Sequence, residues 1–315
     1  MAQFTWTFDA PTGTYKNFTL SSKLYESAVE NSVFMDHVLP QEGFGKKQGE
    51  SLTLTRIMNI TEPLNADLDE SVRIPEDEFL LSTRAITVNE LGRAVPFTSL
   101  SMDLSKYDLE NPIQRKLREQ MRLVLDTKAA TAFKTTLVKY APTGVLATPT
   151  NVVVTNGTNV TAATRALQVF DVEEIRDLLF DTYQTPPLEG GDYLGIFRTL
   201  GLRGIKRDPA WERWHQYTDP QAKWNGEVGR IEGVRFMETN HANALAKRAL
   251  IGEGVVFGDE GVALVEAMTP ELRAAIPSDF GRSKAIAWYG ILAMGTIWDT
   301  ANPGELKIIH VTSTT

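Results

Sequence analysis

Residues 51–60 alternate apolar and polar positions. Leu52, Leu54, Met58 and Ile60 point one way and Thr53, Thr55 and Asn59 the other, with Arg56 breaking the apolar row. Residues 86–100 run back with Ile86, Val88, Val95, Phe97 and Leu100 on one side. A period of two marks half-exposed strands, so this region predicts a long two-stranded ribbon. A lone hairpin is marginal in water, so the apolar row needs a second surface, and a neighbouring copy of the chain is the expected supplier.

Asn111-Pro112 then opens a helix predicted to run over 112–140, ending before Ala141-Pro142. Its apolar stripe is Ile113, Leu117, Met121, Val124/Leu125, Ala132, Phe133, Leu137 and Tyr140. At 1.5 Å per residue, Ile113 to Tyr140 spans roughly 42 Å. Proline suits the first helical position, where its missing donor would be unpaired in any case.

The remaining pattern is shorter. Residues 1–17 predict an extended arm with Phe4, Trp6 and Phe8 on one face, docking on its own domain or on a neighbour. Residues 21–37 predict a helix ended by Pro40, and Gly43, Gly45 and Gly49 make a flexible entry to the ribbon. Val152–Gly157 reads as a strand entering a tight turn. Asp171–Tyr183 reads as a helix with Asp171 as cap and Glu174 completing a capping-box-like pair. A strand at Tyr193–Phe197 precedes a short helix at Thr199–Lys206, weakened by Gly201 and Gly204. Strands are expected at 231–239, 250–257, 285–298 and 305–312. The pattern makes an α+β chain with an α/β insert in its centre.

Charge sharpens this picture at two places. Between the ribbon strands, Glu62, Asp67, Asp69, Glu70, Glu76, Asp77 and Glu78 face a single base, Arg73. The long helix has the opposite bias, with Arg115, Lys116, Arg118, Arg122, Lys128, Lys134 and Lys139 against Glu119 and Asp126. The net charge of −8 over 315 residues argues against a general nucleic-acid binder, since phosphate neutralisation needs a basic surplus. There are no cysteines, so disulfides, thiolate zinc sites and cysteine nucleophiles are excluded, consistent with synthesis in a reducing cytoplasm. No basic leader with an apolar segment opens the sequence, and no stretch approaches the ~18 apolar residues of a membrane span.

Candidate chemistry is thin. Asp67, Asp69, Ser71, Arg73 and Glu78 fall on calcium-loop spacing, but Val72 stands where glycine is needed and Pro63 and Pro75 oppose flanking helices. Gly252 to Gly258 has the wrong spacing for a dinucleotide loop. His37, His215, His241 and His310 form no catalytic motif, and His310 reads as a strand-face residue. No cofactor is expected. Arg203, Lys206, Arg207, Arg213 and Lys223 interleave with Trp211, Trp214, Tyr217 and Trp224, which reads as an ordered loop before a single-strand grip. Contact between copies fits best: an acidic tip and a basic helix side belong to one chain but lie apart along it.

The segment 226–240, Gly-Glu-Val-Gly-Arg-Ile-Glu-Gly-Val-Arg-Phe-Met-Glu-Thr-Asn, resembles one in major capsid proteins of tailed bacteriophages, in the branch that includes the N-four-like podoviruses. The late Trp288-Tyr289-Gly290 strand and the order of elements are similar too. The resemblance implies an HK97-like fold: arm and first helix (1–44), E-loop ribbon (45–100), peripheral domain with spine helix (101–165), axial domain (166–265) and return strands (266–315). It implies a non-enzymatic shell protein that assembles with itself into pentamers and hexamers around double-stranded DNA. Portal, scaffolding and decoration proteins would be its partners, with no membrane. It would be assembled in the host bacterial cytoplasm and end in the virion. The first helix begins near residue 20, so scaffolding would be a separate protein or absent. Phe4, Trp6 and Phe8 are then expected to dock the arm. Asp67, Asp69, Glu70, Glu76, Asp77 and Glu78 would form the ribbon tip, and Arg115, Arg118 and Arg122 a receiving side. An encapsulin-type compartment, a tail-tube subunit, and a soluble hydrolase or calcium-binding protein are the alternatives.

Overall fold

The computed structural model describes residues 27–209, 227–247 and 251–312, leaving out 61, 64, 65, 69, 72, 106, 162, 189, 277 and 278. A single 3-10 turn, Phe34–His37, leads to strand β1 (Leu39–Pro40). The ribbon is β2 (Ser51–Ile57) and β3 (Leu81–Thr87), after which come β4 (Asn89–Thr98), helix α1 (Ser99–Asp103) and the long helix α2 (Glu110–Lys134). Next are β5 (Lys139–Val145), β6 (Thr148–Val154), α3 (Val169–Asp177) with a π-helical turn Leu178–Thr182, β7 (Tyr193–Arg198) and α4 (Thr199–Lys206). Strands β8 (Glu227–Ile231), β9 (Val234–Thr239), β10 (Gly254–Phe257), β11 (Val262–Ala274), β12 (Ser283–Thr296) and β13 (Ile308–Val311) complete the chain.

These strands make three sheets. Seven pair in the order β6-β5-β13-β10-β7-β9-β8, four in the order β1-β11-β12-β4, and β2-β3 stand as a pair. Helix α2 crosses the four-stranded sheet. Leu117, Met121, Val124 and Ile113 pack there on Ile286, Trp288 and Leu272. Further along, Ala129, Ala130 and Phe133 enter a second core with Phe34, Phe257 and Ile308, where the Phe133 and Phe257 rings lie 4.6 Å apart. The far side of the seven-stranded sheet is closed by α3 and α4 through Val172, Ile175, Leu202 and Ile205. Gly204 lets α4 approach closely, for a Cβ there would stand 2.2 Å from the Leu167 carbonyl oxygen.

Several expected elements are redrawn. The return strand over 86–100 is two strands: β3 pairs with β2 from Leu81 to Thr87, while β4 pairs antiparallel with β12 from Asn89↔Leu292 to Thr98↔Ser283. The chain changes sheets at Val88, whose N–H closes on the Glu50 carbonyl at 2.9 Å. Alternation fixes the facing of residues but not the partner strand. Helix α2 stops at Lys134, short of 140. Thr135 caps it by donating its hydroxyl to Ala132 O at 2.6 Å, and Thr136 donates to Ile308 O at 2.6 Å, drawing the chain into the sheet. Tyr140 therefore lies in β5, fully buried. Pro112 occupies the third helical position, where its missing donor is still among the unpaired ones.

Over 27–37 the expected helix is a single 3-10 turn. Gln168, not Asp171, caps α3, with Asp171 at the third position of the box. The segment 231–239 is the end of β8, a turn at Glu232-Gly233, and β9. Strand β11 has no counterpart among the expected elements.

Candidate assembly interface

The ribbon divides into two halves. Near the body, Leu52, Leu54, Ile86 and Val88 pack with Ala263, Val265, Ala293 and Ile297. This corrects the expectation that a neighbour must cover the apolar row, because the chain's own return strands cover its inner part. The junction is pinned by charge. Arg56 is 8% exposed, pairs with Asp299, donates to Ile297 O at 3.2 Å and Ser82 Oγ at 3.0 Å, and lies over the Trp298 ring. Arg84 adds a second contact to Asp299 at 3.0 Å. Burial alone would raise the Asp299 carboxyl, but the Arg56 hydrogen bond and the two guanidinium charges hold it below its ordinary range.

Beyond this clamp the ribbon is apolar and uncovered. Ile57, Ile60, Leu68, Ile74, Phe79, Leu80 and Leu81 are all more than half exposed. Several large apolar side chains left exposed on one short segment mark a contact region. Asp67, Glu70, Glu76, Asp77 and Glu78 are exposed around it, and Asp69 lies outside the described residues. Arg73 pairs locally with Glu76.

Arg115, Arg118 and Arg122 are exposed on one side of α2. Residues 27–33 run beside that side: Lys116 Nζ donates to Ser27 O at 3.3 Å and Arg122 Nη2 to Glu30 O at 3.4 Å. The basic side therefore carries a strip of its own chain. Phe4, Trp6 and Phe8 lie outside the described residues, as do Trp211, Arg213, Trp214, Tyr217, Lys223 and Trp224.

Three buried polar ties stiffen the body behind these surfaces, and sequence reasoning found none of them. Asp126 Oδ1 accepts the N–H groups of Val33 and Phe34 at 2.9 and 2.7 Å, while its Oδ2 meets His241 Nδ1 at 2.7 Å. Arg165 grips Asp171 with two nitrogens at 2.5 and 2.6 Å and reaches the carbonyls of Thr143, Ala166 and Thr150. The Tyr140 hydroxyl donates to the same carboxylate at 2.7 Å. Burial, then the Asp171 charge, pushes that phenol up.

The third tie joins Glu253, His310, Lys139 and Lys134. His310 Nε2 meets Glu253 at 2.9 Å and its Nδ1 meets Lys139 Nζ at 3.1 Å, with Lys134 Nζ 3.6 Å from Glu253. Burial would raise Glu253, yet His310, the Ala246 N–H and Lys134 hold it down to about 2. Burial lowers Lys139 to about 8, and it lowers His310 as well.

One signal was available for Asp126: it falls on the same helical stripe as Ala129, Ala130 and Phe133. The Asp126–His241–Thr127 line resembles a charge relay in order only. Its hydroxyl already donates to Leu123 O at 2.9 Å, and Asp126 and His241 are fully buried. Among the described residues no three His, Asp or Glu side chains gather as metal ligands.

The fold defines the class. No protein-family model and no curated protein matches the chain. Solved structures do. The cyanophage Pam1 capsid is 15% identical with a TM-score of 0.71, covering 99% of both chains. The capsid of Helicobacter pylori bacteriophage KHP30 is 9% identical with a TM-score of 0.70, covering 95% of this chain and 96% of that one. The bacteriophage PhiM1 mature capsid is 14% identical with a TM-score of 0.65, over 95% and 92%. The chain thus has the HK97-like α+β fold that these phage capsids share.

Proposed function

We propose that this chain is the major subunit of an icosahedral phage head, assembling with itself into pentamers and hexamers that enclose double-stranded DNA. The observation that carries the reading is the ribbon's uncovered far half, apolar and clamped to the body at its base. A neighbouring copy supplies the missing cover. Apolar burial contributes about 25 cal/mol per Å2 before ordering costs, and repeated weak contacts close a stable shell. The work is mechanical and calls on no catalytic group.

Within this reading the chain divides as the resemblance implies: arm (1–44), reaching ribbon (45–100), peripheral unit (101–165 with 266–315) and axial unit (166–265). Phe4, Trp6 and Phe8 anchor the arm. The tip acids Asp67, Asp69, Glu70, Glu76, Asp77 and Glu78 steer the ribbon toward Arg115, Arg118 and Arg122 of the next copy, giving register and encounter rate more than affinity. Portal, scaffolding and decoration proteins complete the particle in the bacterial cytoplasm.

Electron microscopy of the expressed protein tests the reading, with closed polyhedral particles as the expected result. Replacing Phe79 and Leu81 together by Ser abolishes particles while leaving subunit stability within about 0.5 kcal/mol, as exposed positions do. Exchanging Glu76, Asp77 and Glu78 for Lys slows assembly at low salt and matters less at high salt. A concentrated wild-type protein that stays monomeric under every condition overturns the reading.

A further inference from the structure

Three cations from separate segments converge where β7 meets α4. Arg198 ends β7, Arg203 stands in α4, and Lys247 follows the 240–246 loop. With Thr199, Leu200 and Asn240 they line a cavity of about 170 Å3. We propose that this cavity binds one phosphate group.

The charge balance at the cavity is positive. Glu238 is held by Lys206 Nζ at 2.9 Å and by the Thr199 hydroxyl, and Glu253, whose backbone carbonyl accepts the Arg198 N–H, is held by His310 and the Ala246 N–H. Among the described residues Arg198, Arg203 and Lys247 make no ion pair, so their charge is open to an occupant. Arg203 and Lys247 are exposed, which leaves the entrance open. Arg198 differs: its Nη1 is buried and has no hydrogen-bond partner among the described residues. A buried guanidinium nitrogen left unpaired is costly, and an oxyanion seated beside it removes that cost. Asn240 accepts the Asn31 N–H at 2.6 Å through its oxygen, so its amide NH2 is the end left to donate. The cavity opens at the first turn of α4, whose N–H groups favour negative charge.

The lining selects the ligand. Three cations, a hydroxyl and an amide, with no aromatic face on which a base could stack, suit a tetrahedral oxyanion. Arg203 also borders a second, larger hollow lined by Arg207 and Asp208, which leads away from the cavity. A backbone phosphate of a nucleic-acid strand can thus enter with its chain lying outside, and free phosphate offers the same chemistry. The net charge of −8 argues against contact with a strand over the whole surface, and the site stands whether or not the chain builds a shell.

The test uses the full-length protein. Inorganic phosphate is titrated against sodium chloride at matched ionic strength, following the thermal midpoint and the heat of binding. A saturable rise in midpoint is expected in phosphate alone. Arg203→Gln and Lys247→Gln each weaken the apparent Kd at least tenfold while keeping the wild-type midpoint in chloride. A fluorescent oligothymidylate then separates the sources. Binding that phosphate displaces assigns the cavity to a strand's backbone, and phosphate binding without oligonucleotide binding assigns it to the free ion. Equal midpoints in phosphate and chloride, or unchanged affinity in both variants, overturns the proposal.

Discussion

Two long hairpins leave the body of this molecule, and they are covered differently. Strands β11 and β12 pair from Val262↔Thr296 to Ala274↔Ile286, longer than the β2–β3 ribbon. Yet the longer one buries Trp288, Ile286 and Leu292, because α2 lies on one face and β4 extends the sheet. Its exposed apolar residues gather at the end, where Ile276 and Phe280 stand in solvent and Phe280 holds a left-handed backbone at φ +53°. The shorter ribbon has cover only at its base. Length does not decide whether a hairpin needs a partner; the presence of a third layer does.

The comparison can be broken at three points, taken from the largest effect down. Trp288→Ala removes the side chain that joins β12 to α2. It should cost the subunit about 3–5 kcal/mol in denaturant unfolding, since a large buried aromatic leaves a cavity that closes poorly. The ribbon's exposed residues have no equivalent effect on the isolated subunit.

Acid probes the ties of body and ribbon together. Glu253 is held to about 2 in the folded protein against an ordinary 4.5. Its stabilisation is fully present above the unfolded value and is lost as pH falls from about 4.5 through about 2. That amounts to about 3 kcal/mol, and Glu253→Gln should flatten this part of the stability profile. Lys139 works in the other sense: lowered to about 8, it makes the fold more stable as pH rises from about 8 toward 10.5. Asp299, which holds the ribbon's base from the body, is also depressed, but its half-exposed carboxylate is screened, so its acid loss is smaller.

Asp299→Ala is the smallest perturbation and the most local. It leaves the buried Arg56 without its carboxylate and should cost about 1–3 kcal/mol. Hydrogen exchange at Arg56 and Arg84 then rises by at least tenfold while β12 stays protected. Equal loss of protection in both hairpins would mean that ribbon and body open as one unit.

Much of this was legible in the residues. Thr199–Lys206 and the strand from Tyr193 follow the expected pattern, since alternation and breakers are local properties. The sheet change at Val88 was not legible, because a period of two is the same in either sheet. Strand β11 escaped notice because it reads Val-Ala-Leu-Val, then loses alternation across two register shifts around Glu266–Glu271 and carries Pro270. Its partner strand holds the explanation: Gly290, in the Trp288-Tyr289-Gly290 segment, has no side chain because a Cβ there would stand 2.8 Å from the Pro270 ring. The tip acids and the Arg115, Arg118 and Arg122 side were visible as charge, and the structure leaves all the described ones exposed.

By itself the sequence determined which residues turn inward, where charge collects and how the elements follow one another, because each depends on neighbours a few positions away. Tertiary structure decided what Asp126, Arg165, Glu253 and Lys139 are for, and where the long helix yields to a strand. Those outcomes rest on partners more than a hundred residues distant for Asp126 and Lys139, His241 and His310. No local pattern encodes a distance in space, and a buried charge takes its role from whatever folding brings against it.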